Sequence, residues 1–168
     1  MSESARKALF HDLLERNERR IVAIARSYAA APDTGDLIQE ILLQIWRALG
    51  TFRGDSSMGT WSYRIALNTA LSWRRDEQAK RRKLPIRAGY DPSLVSAPVL
   101  SPASSETLER LLADLPPADK AILLLYLDDV GYDEMSQILG ATPGALRVRL
   151  HRIKSRLTEL YQGQFHES

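Results

Sequence analysis

The 168-residue chain contains no cysteine, which excludes a disulfide framework, a thiolate metal site and a cysteine nucleophile. Its three histidines, His11, His151 and His166, are too scattered to suggest a metal centre. No apolar run approaches the ~18 residues of a membrane span; the longest, Ala121–Leu127, reads as buried helix. The opening stretch has no apolar core of secretory-signal length, so a protein of the reducing cytoplasm is expected. P-loop, zinc-helix and nucleophile-elbow patterns are missing, and no acids form a recognisable catalytic pair. An enzyme is therefore not expected, nor a cofactor or metal. Alternating strand patterns and repeats of fixed period are missing as well, which leaves an all-α chain.

What is present is charge in blocks. The net charge is only +2, but Arg74, Arg75, Lys80, Arg81, Arg82, Lys83 and Arg87 form one basic cluster and the C-terminal segment forms a second. The stretch between, Glu106 to Glu134, is acidic. Two separated basic patches point to a polyanion touched at two places.

Apolar periodicity divides the chain. Residues 5–30 read as a helix with Leu9, Leu13, Leu14, Ile21, Ile24, Ala25 and Tyr28 inward, broken by Pro32 and Gly35. Asp33, Thr34 or Asp36 caps the next helix, in which Leu37, Ile41, Leu42, Ile45, Trp46 and Leu49 repeat with a 3.6-residue period until Gly50. Thr51–Gly59 reads as a loop, and a third helix runs from about Thr60 to Lys83. Pro85 to Ser105 holds four prolines among Ser, Ala and Gly and reads as an extended linker. Helix resumes near Ser104 or Ser105, with Leu108, Leu111, Leu112 and Leu115 on its face. Pro116-Pro117 stops it, and Ala118–Asp128 is helical again. The expected architecture is two small helical domains, 1–84 and 105–168, joined by a flexible Pro/Ser-rich linker, 85–104. Each core is modest.

The C-terminal run from Tyr132 to Leu160 reads as two helices joined by a tight turn. Met135, Ile138 and Leu139 give the first a buried side. Gly140 stands where a helix ends in a left-handed residue. Thr142 caps the second helix with Pro143 at its first position, where a missing N–H costs nothing. Leu146, Leu150, Ile153 and Leu157 form one apolar stripe, and Arg147, Arg149, Arg152, Lys154 and Arg156 lie off it. A helix-turn-helix places such a second helix in the major groove of DNA; an ordinary helical hairpin with a solvated basic face is the bland alternative. In the N-terminal half, Phe52, Trp61, Tyr63 and Trp73 are interleaved with Arg53, Arg64, Arg74 and Arg75. Aromatic faces stack on unpaired bases while arginines hold phosphates, and Asn68 offers a donor and an acceptor to a base edge. Trp61 and Tyr63 suit a core position as well as a stacking platform.

With these blocks in order, the chain resembles a bacterial RNA polymerase sigma factor of the sigma-70 family, extracytoplasmic-function type, from about Leu9 to Leu160. DLIQEILLQIWRAL (Asp36–Leu49) resembles the family's core-polymerase-binding helix, FRGDSSMGTWSYRIALN (Phe52–Asn68) its promoter −10 reader, and Leu112–Leu157 its −35 reader. The resemblance implies a sigma2-like and a sigma4-like domain. Asp36, Gln39 and Glu40 would face the clamp helices of the largest polymerase subunit. Asn68 would sit by a pocket for a flipped base walled by Gly54–Gly59, with Arg53, Trp61 and Arg64 close by and Arg74, Arg75, Lys80 and Arg81 following −10 phosphates. Pro143, Gly144, Arg147, Val148, His151 and Arg152 would meet the −35 element, while Arg149, Lys154 and Arg156 hold phosphates or face solvent. Core polymerase through its clamp helices and flap, promoter DNA and an anti-sigma factor are the implied partners.

The chain departs from the family at Ala145-Leu146-Arg147-Val148, where a Thr-Val-basic-Ser run is common. Val148 donates no hydrogen bond, which restricts it to a thymine methyl or to shape. The Asp128-Asp129 pair also differs from the usual acidic-glycine run. Two other functions compete. A stand-alone helix-turn-helix regulator needs neither an acidic core-binding helix nor an aromatic–arginine block, and a helical adaptor leaves both basic clusters unexplained.

Overall fold

In a computed structural model, residues 2–83 and 112–165 are described, and among them all regular structure is helical. The chain forms two units, Met1–Ser105 and Glu106–Ser168. The linker expected at 85–104 and the helix start at Ser104 or Ser105, with Leu108 and Leu111, lie outside the described residues.

The first unit packs three helices: α1 (Glu3–Tyr28), α2 (Thr34–Ala48) and α3 (Met58–Lys83). Ser2 caps α1, its hydroxyl accepting the Ala5 N–H at 3.3 Å. Leu13, Ile24, Leu37, Ile41, Ile45, Leu49 and Leu67 are essentially inaccessible to solvent, so each contributes about 1.5–3 kcal/mol of hydrophobic stabilisation. Within α1, Leu9 and Leu14 are only half-buried, whereas the polar Asn17 is inside. Its Nδ2 donates to the Leu13 carbonyl at 2.8 Å, which satisfies the amide locally and lets it enter the core. Gly35 does not break the chain; it lies within the first turn of α2, and the break is a 3-10 turn at Ala31–Asp33 around Pro32. Asp33 occupies the N-cap position of α2 without a side-chain cap bond. The end of α2 tightens into a second 3-10 turn, Leu49–Thr51, that contains Gly50. Trp46 is half-buried rather than core: Phe10 meets its ring edge-on at 5.2 Å and the Arg6 guanidinium lies 4.3 Å from its centroid.

α3 begins two residues earlier than the sequence suggests. Ser57 caps the helix, its hydroxyl accepting the Thr60 N–H at 3.0 Å, and this draws Met58 and Gly59 into the first turn. Gly54, at φ +79, makes the left-handed bend that follows Arg53.

The second unit comprises α4 (Pro117–Leu127), α5 (Tyr132–Leu139) and α6 (Pro143–Phe165). Leu125, Met135, Leu146 and Leu150 are its most enclosed side chains; Ile138 and Ile153 join them, and Leu139 and Leu157 are half-buried. Gly140 closes α5 at φ +71, its N–H bonded to the Ser136 carbonyl. Thr142 caps α6 by accepting the Ala145 N–H at 3.3 Å. The same left-handed closure ends α4, but there the residue is Asp129, at φ +55, with the following Val130 N–H returning to the Leu125 carbonyl at 3.0 Å. This is the structural meaning of the Asp128-Asp129 departure: an aspartate occupies a backbone conformation that favours glycine. No helix among the described residues is long and apolar enough to cross a membrane.

Candidate nucleic-acid interface

Three helix faces carry the residues singled out from the sequence. On α2, burial of Leu37, Ile41 and Ile45 turns the opposite side outward. Asp36 and Gln39 are exposed there, Glu40 is half-buried and bonded by Gln44 Nε2 at 2.7 Å, and Leu43 is 40% exposed. This face therefore mixes acids, amides and one apolar side chain, and the exposed Arg47 closes it one turn beyond Leu43. Leu43 and Gln44 were not legible as part of it, because the 3.6-residue pattern marks what is buried and leaves the exposed neighbours unranked.

On α3, Arg64, Asn68, Ser72 and Arg75 are all exposed, at spacings of four, four and three, and so form a single ridge. Arg75 Nη2 donates to Ser72 Oγ at 2.9 Å. Trp61 stands half-buried at the N-terminal end of this ridge, its ring 5.2 Å from that of Phe52. At 1.5 Å per residue, Trp61 to Arg75 spans about 21 Å. Tyr63 is buried and faces Arg20 of α1, 5.6 Å from its ring centroid, so it belongs to the core.

The basic cluster does not act as one body. Arg74 is half-buried, and its charge reaches Tyr28 of α1, whose hydroxyl burial holds well above the usual range with Arg74 opposing. Lys80 is exposed and bonded to Glu77 at 3.0 Å; that bond raises its ammonium above the ordinary range. Arg53 is exposed in the loop. Arg81 lies in α3, and its side chain falls outside the described residues.

Between α2 and α3 runs a groove of about 550 Å³, lined by Glu40 and Gln44 on one side and by Asn68, Trp73, Asp76 and Lys80 on the other. The loop Gly54–Gly59 does not line it. The reason is axial distance: Asn68 lies ten residues beyond Met58, about 15 Å along α3. The amide and the loop therefore do not share this groove.

On α6, Leu146, Leu150 and Ile153 are buried, and helical geometry sends Gly144, Val148 and Ser155 furthest outward, with His151 and Arg152 beside them. The cations flank this crest. Arg147 and Lys154 fall on one side. Arg147 lies 5.1 Å from the Tyr132 ring centroid, and Lys154 Nζ 3.7 Å from that of Tyr126. Arg149 and Arg156 fall on the other side, where Arg149 pairs with Asp119 of α4. Pro143 opens the helix. The tethers to Tyr132, Tyr126 and Asp119 leave no mark in the sequence, since each joins α6 to another helix, α4 or α5.

A neutral crest between two rows of cations fits a duplex groove: phosphates meet the rows and base edges meet the crest. Residues 13–80 match the model of sigma-70 region 2, and residues 105–157 match that of sigma-70 region 4. The chain belongs to the sigma-70 family of RNA polymerase sigma factors. This sigma factor is 29% identical to the ECF RNA polymerase sigma-E factor of Escherichia coli strain K12, the match covering 91% of this chain and 86% of that one. It is also 29% identical to the sigma-E factor of Haemophilus influenzae, over 93% and 89% of the two chains. Both relatives are ECF RNA polymerase sigma factors. Among solved structures, CnrH in complex with the cytosolic domain of CnrY matches with a TM-score of 0.69 at 21% identity, covering 94% of this chain and 90% of that one. The sigma factor RpoE of Bartonella quintana, solved with the anti-sigma factor NepR, matches with a TM-score of 0.67 at 21% identity, over 91% and 96%. As a sigma factor the protein acts in transcription initiation.

Proposed function

We propose that this sigma factor docks on core RNA polymerase through the outward face of α2 and directs it to promoters through α3 and α6. In this reading Asp36, Gln39 and Glu40, joined by Leu43, meet the clamp helices of the largest subunit, and the sigma4-like unit meets the flap. The single observation that carries it is the juxtaposition of two unlike faces in one unit: acids and amides outward on α2, and the Arg64–Asn68–Ser72–Arg75 ridge on α3. A stand-alone regulator has no use for the first face. Asn68 and Ser72 of the ridge form one rim of the intervening groove, whose three carboxylates, Glu40, Asp76 and Glu77, outnumber its one cation, Lys80, and disfavour phosphates inside it, so DNA runs along the rim.

Unpaired −10 DNA then tracks from Trp61 and Arg53 past Arg64 and Asn68 to Arg75, with Arg74, Lys80 and Arg81 adding positive potential. Strand opening runs on binding free energy, with stacking worth about 1–3 kcal/mol per base. On α6, Gly144, Val148, His151 and Arg152 face −35 base edges, and Pro143 sets the first turn. Arg147, whose guanidinium lies toward Tyr132, serves the groove wall rather than its floor. The working domains are 1–84 and 105–168, tethered by 85–104; such a tether raises the local concentration of the second reader once the first has engaged. An anti-sigma factor is the expected antagonist, as in the solved complexes of CnrH and of the Bartonella protein.

Two variants test this with purified core polymerase. Asn68→Ala should cut promoter-specific initiation at least tenfold while core association stays as in the parent chain. Asp36→Lys should weaken core association by a similar factor. Loss of core binding in Asn68→Ala, or its retention in Asp36→Lys, would refute the assignment of faces.

A further inference from the structure

The crest of α6 has a feature that a generic basic recognition helix lacks. Its outermost large side chain is apolar: Val148 is 54% exposed, more than any other large hydrophobic residue among those described. Gly144 lies one turn before it on the same face, with no atom within 4 Å of the place a Cβ would occupy. Ala145 is exposed beside them. The first two turns of the helix thus present a shallow apolar step, and the missing side chain at Gly144 lets the helix backbone come closer to whatever lies opposite. Cations border this step without entering it, because Arg147 is drawn toward Tyr132 and Arg149 toward Asp119.

Nothing in that step hydrogen-bonds a base edge. The chemistry it recognises is a methyl group, and in the major groove of DNA the only base methyl is C5 of thymine. We infer that Val148, seated in the step formed by Gly144 and Ala145, is a sequence-specifying residue of the sigma4-like unit and reads a thymine by its 5-methyl group. This rests on the assignment of α6 to the −35 element. It deepens that assignment by naming both the base and the atom read. His151 and Arg152, one turn further on, supply hydrogen bonds to the neighbouring base pairs.

The test uses the full chain reconstituted with core polymerase. Transcription from a promoter library randomised across the −35 region yields the preferred sequence. In that promoter each thymine is replaced singly by deoxyuridine, which removes the 5-methyl and nothing else. One replacement should lower initiation about three- to fivefold, the value of burying a single methyl group. Val148→Ala should lower initiation on the parent promoter by a similar factor and lose its sensitivity to that replacement. Gly144→Ala should leave the melting temperature unchanged or raised while weakening the same promoter.

Insensitivity to every deoxyuridine, or undiminished sensitivity in Val148→Ala, would overturn the assignment to Val148 while leaving α6 as the reader. A library that yields specific promoters with no −35 preference at all would overturn the underlying placement of α6, and the methyl contact with it.

Discussion

Replacing Asp119 by asparagine separates what the protein needs for folding from what it needs for DNA. Asp119 sits in the first turn of α4 with its side chain 18% exposed, paired to Arg149, whose side chain is 51% exposed. Exposed ion pairs are worth about 0.2–1 kcal/mol, and the partial burial of Asp119 places this one toward the upper end. Asparagine keeps the side-chain oxygen as an acceptor, so the expected loss is about 0.5 kcal/mol. For a domain of this size that lowers the melting temperature by about 2–4 °C.

The effect on DNA runs in the opposite direction. Arg149 lies on the flank of the recognition helix, and removing the carboxylate frees one cation for a phosphate. Each phosphate neutralised adds about 0.9 to the slope of log affinity against log salt. One extra contact therefore steepens the fall in affinity between 50 and 200 mM salt by about 3.5-fold. The assay is promoter binding by the reconstituted holoenzyme across that range, beside calorimetric unfolding of the free chain. A variant that is slightly less stable, binds more tightly at low salt and loses affinity more steeply fits the reasoning. An unchanged salt slope would refute it, showing that Arg149 faces no phosphate with or without its partner.

Two further substitutions follow from the backbone and the core. Asp129→Gly should stabilise the second unit by about 0.5–1 kcal/mol, because it relieves an L side chain at φ +55 while loosening the unfolded chain; thermal unfolding measures the gain, and a loss would mean that the Asp129 side chain is itself needed. Tyr28→Phe should flatten the alkaline arm of the first unit's stability. Burial raises the hydroxyl's folded pKa above its ordinary value of 10.0. The stability linked to its neutral form is thus whole below pH ~10 and is lost as pH rises above that value. Denaturant unfolding between pH 8 and 11 should show a shallower decline in the variant, and identical profiles would mean that the Tyr28 hydroxyl is not held neutral by its burial.

Much of the site was readable before any fold. The helix-turn-helix followed from Gly140, Thr142 and Pro143, because turn and cap chemistry are local and each acts through its own backbone dihedrals or the next few N–H groups. The stripe Leu146–Leu150–Ile153 followed from period alone. Gly35 misled, since a glycine is compatible with a first helical turn when Pro32 has already broken the chain. Asn17 escaped notice because an amide that bonds its own helix looks, in sequence, like any solvated polar residue. Trp61 and Tyr63, two residues apart, were indistinguishable by composition, and only packing against α1 put Tyr63 inside.

The order of amino acids determined the helices, their caps, the two apolar cores and the family, because all of these depend on spacing within a few turns. Tertiary structure decided which charges are available. Arg74 was left half-buried with its charge acting on Tyr28, and Arg147, Arg149 and Lys154 were drawn toward Tyr132, Asp119 and Tyr126, leaving a valine at the crest of a basic helix. Those partners are set by the three-dimensional meeting of helix faces, and a charge in a sequence carries no record of what it will meet.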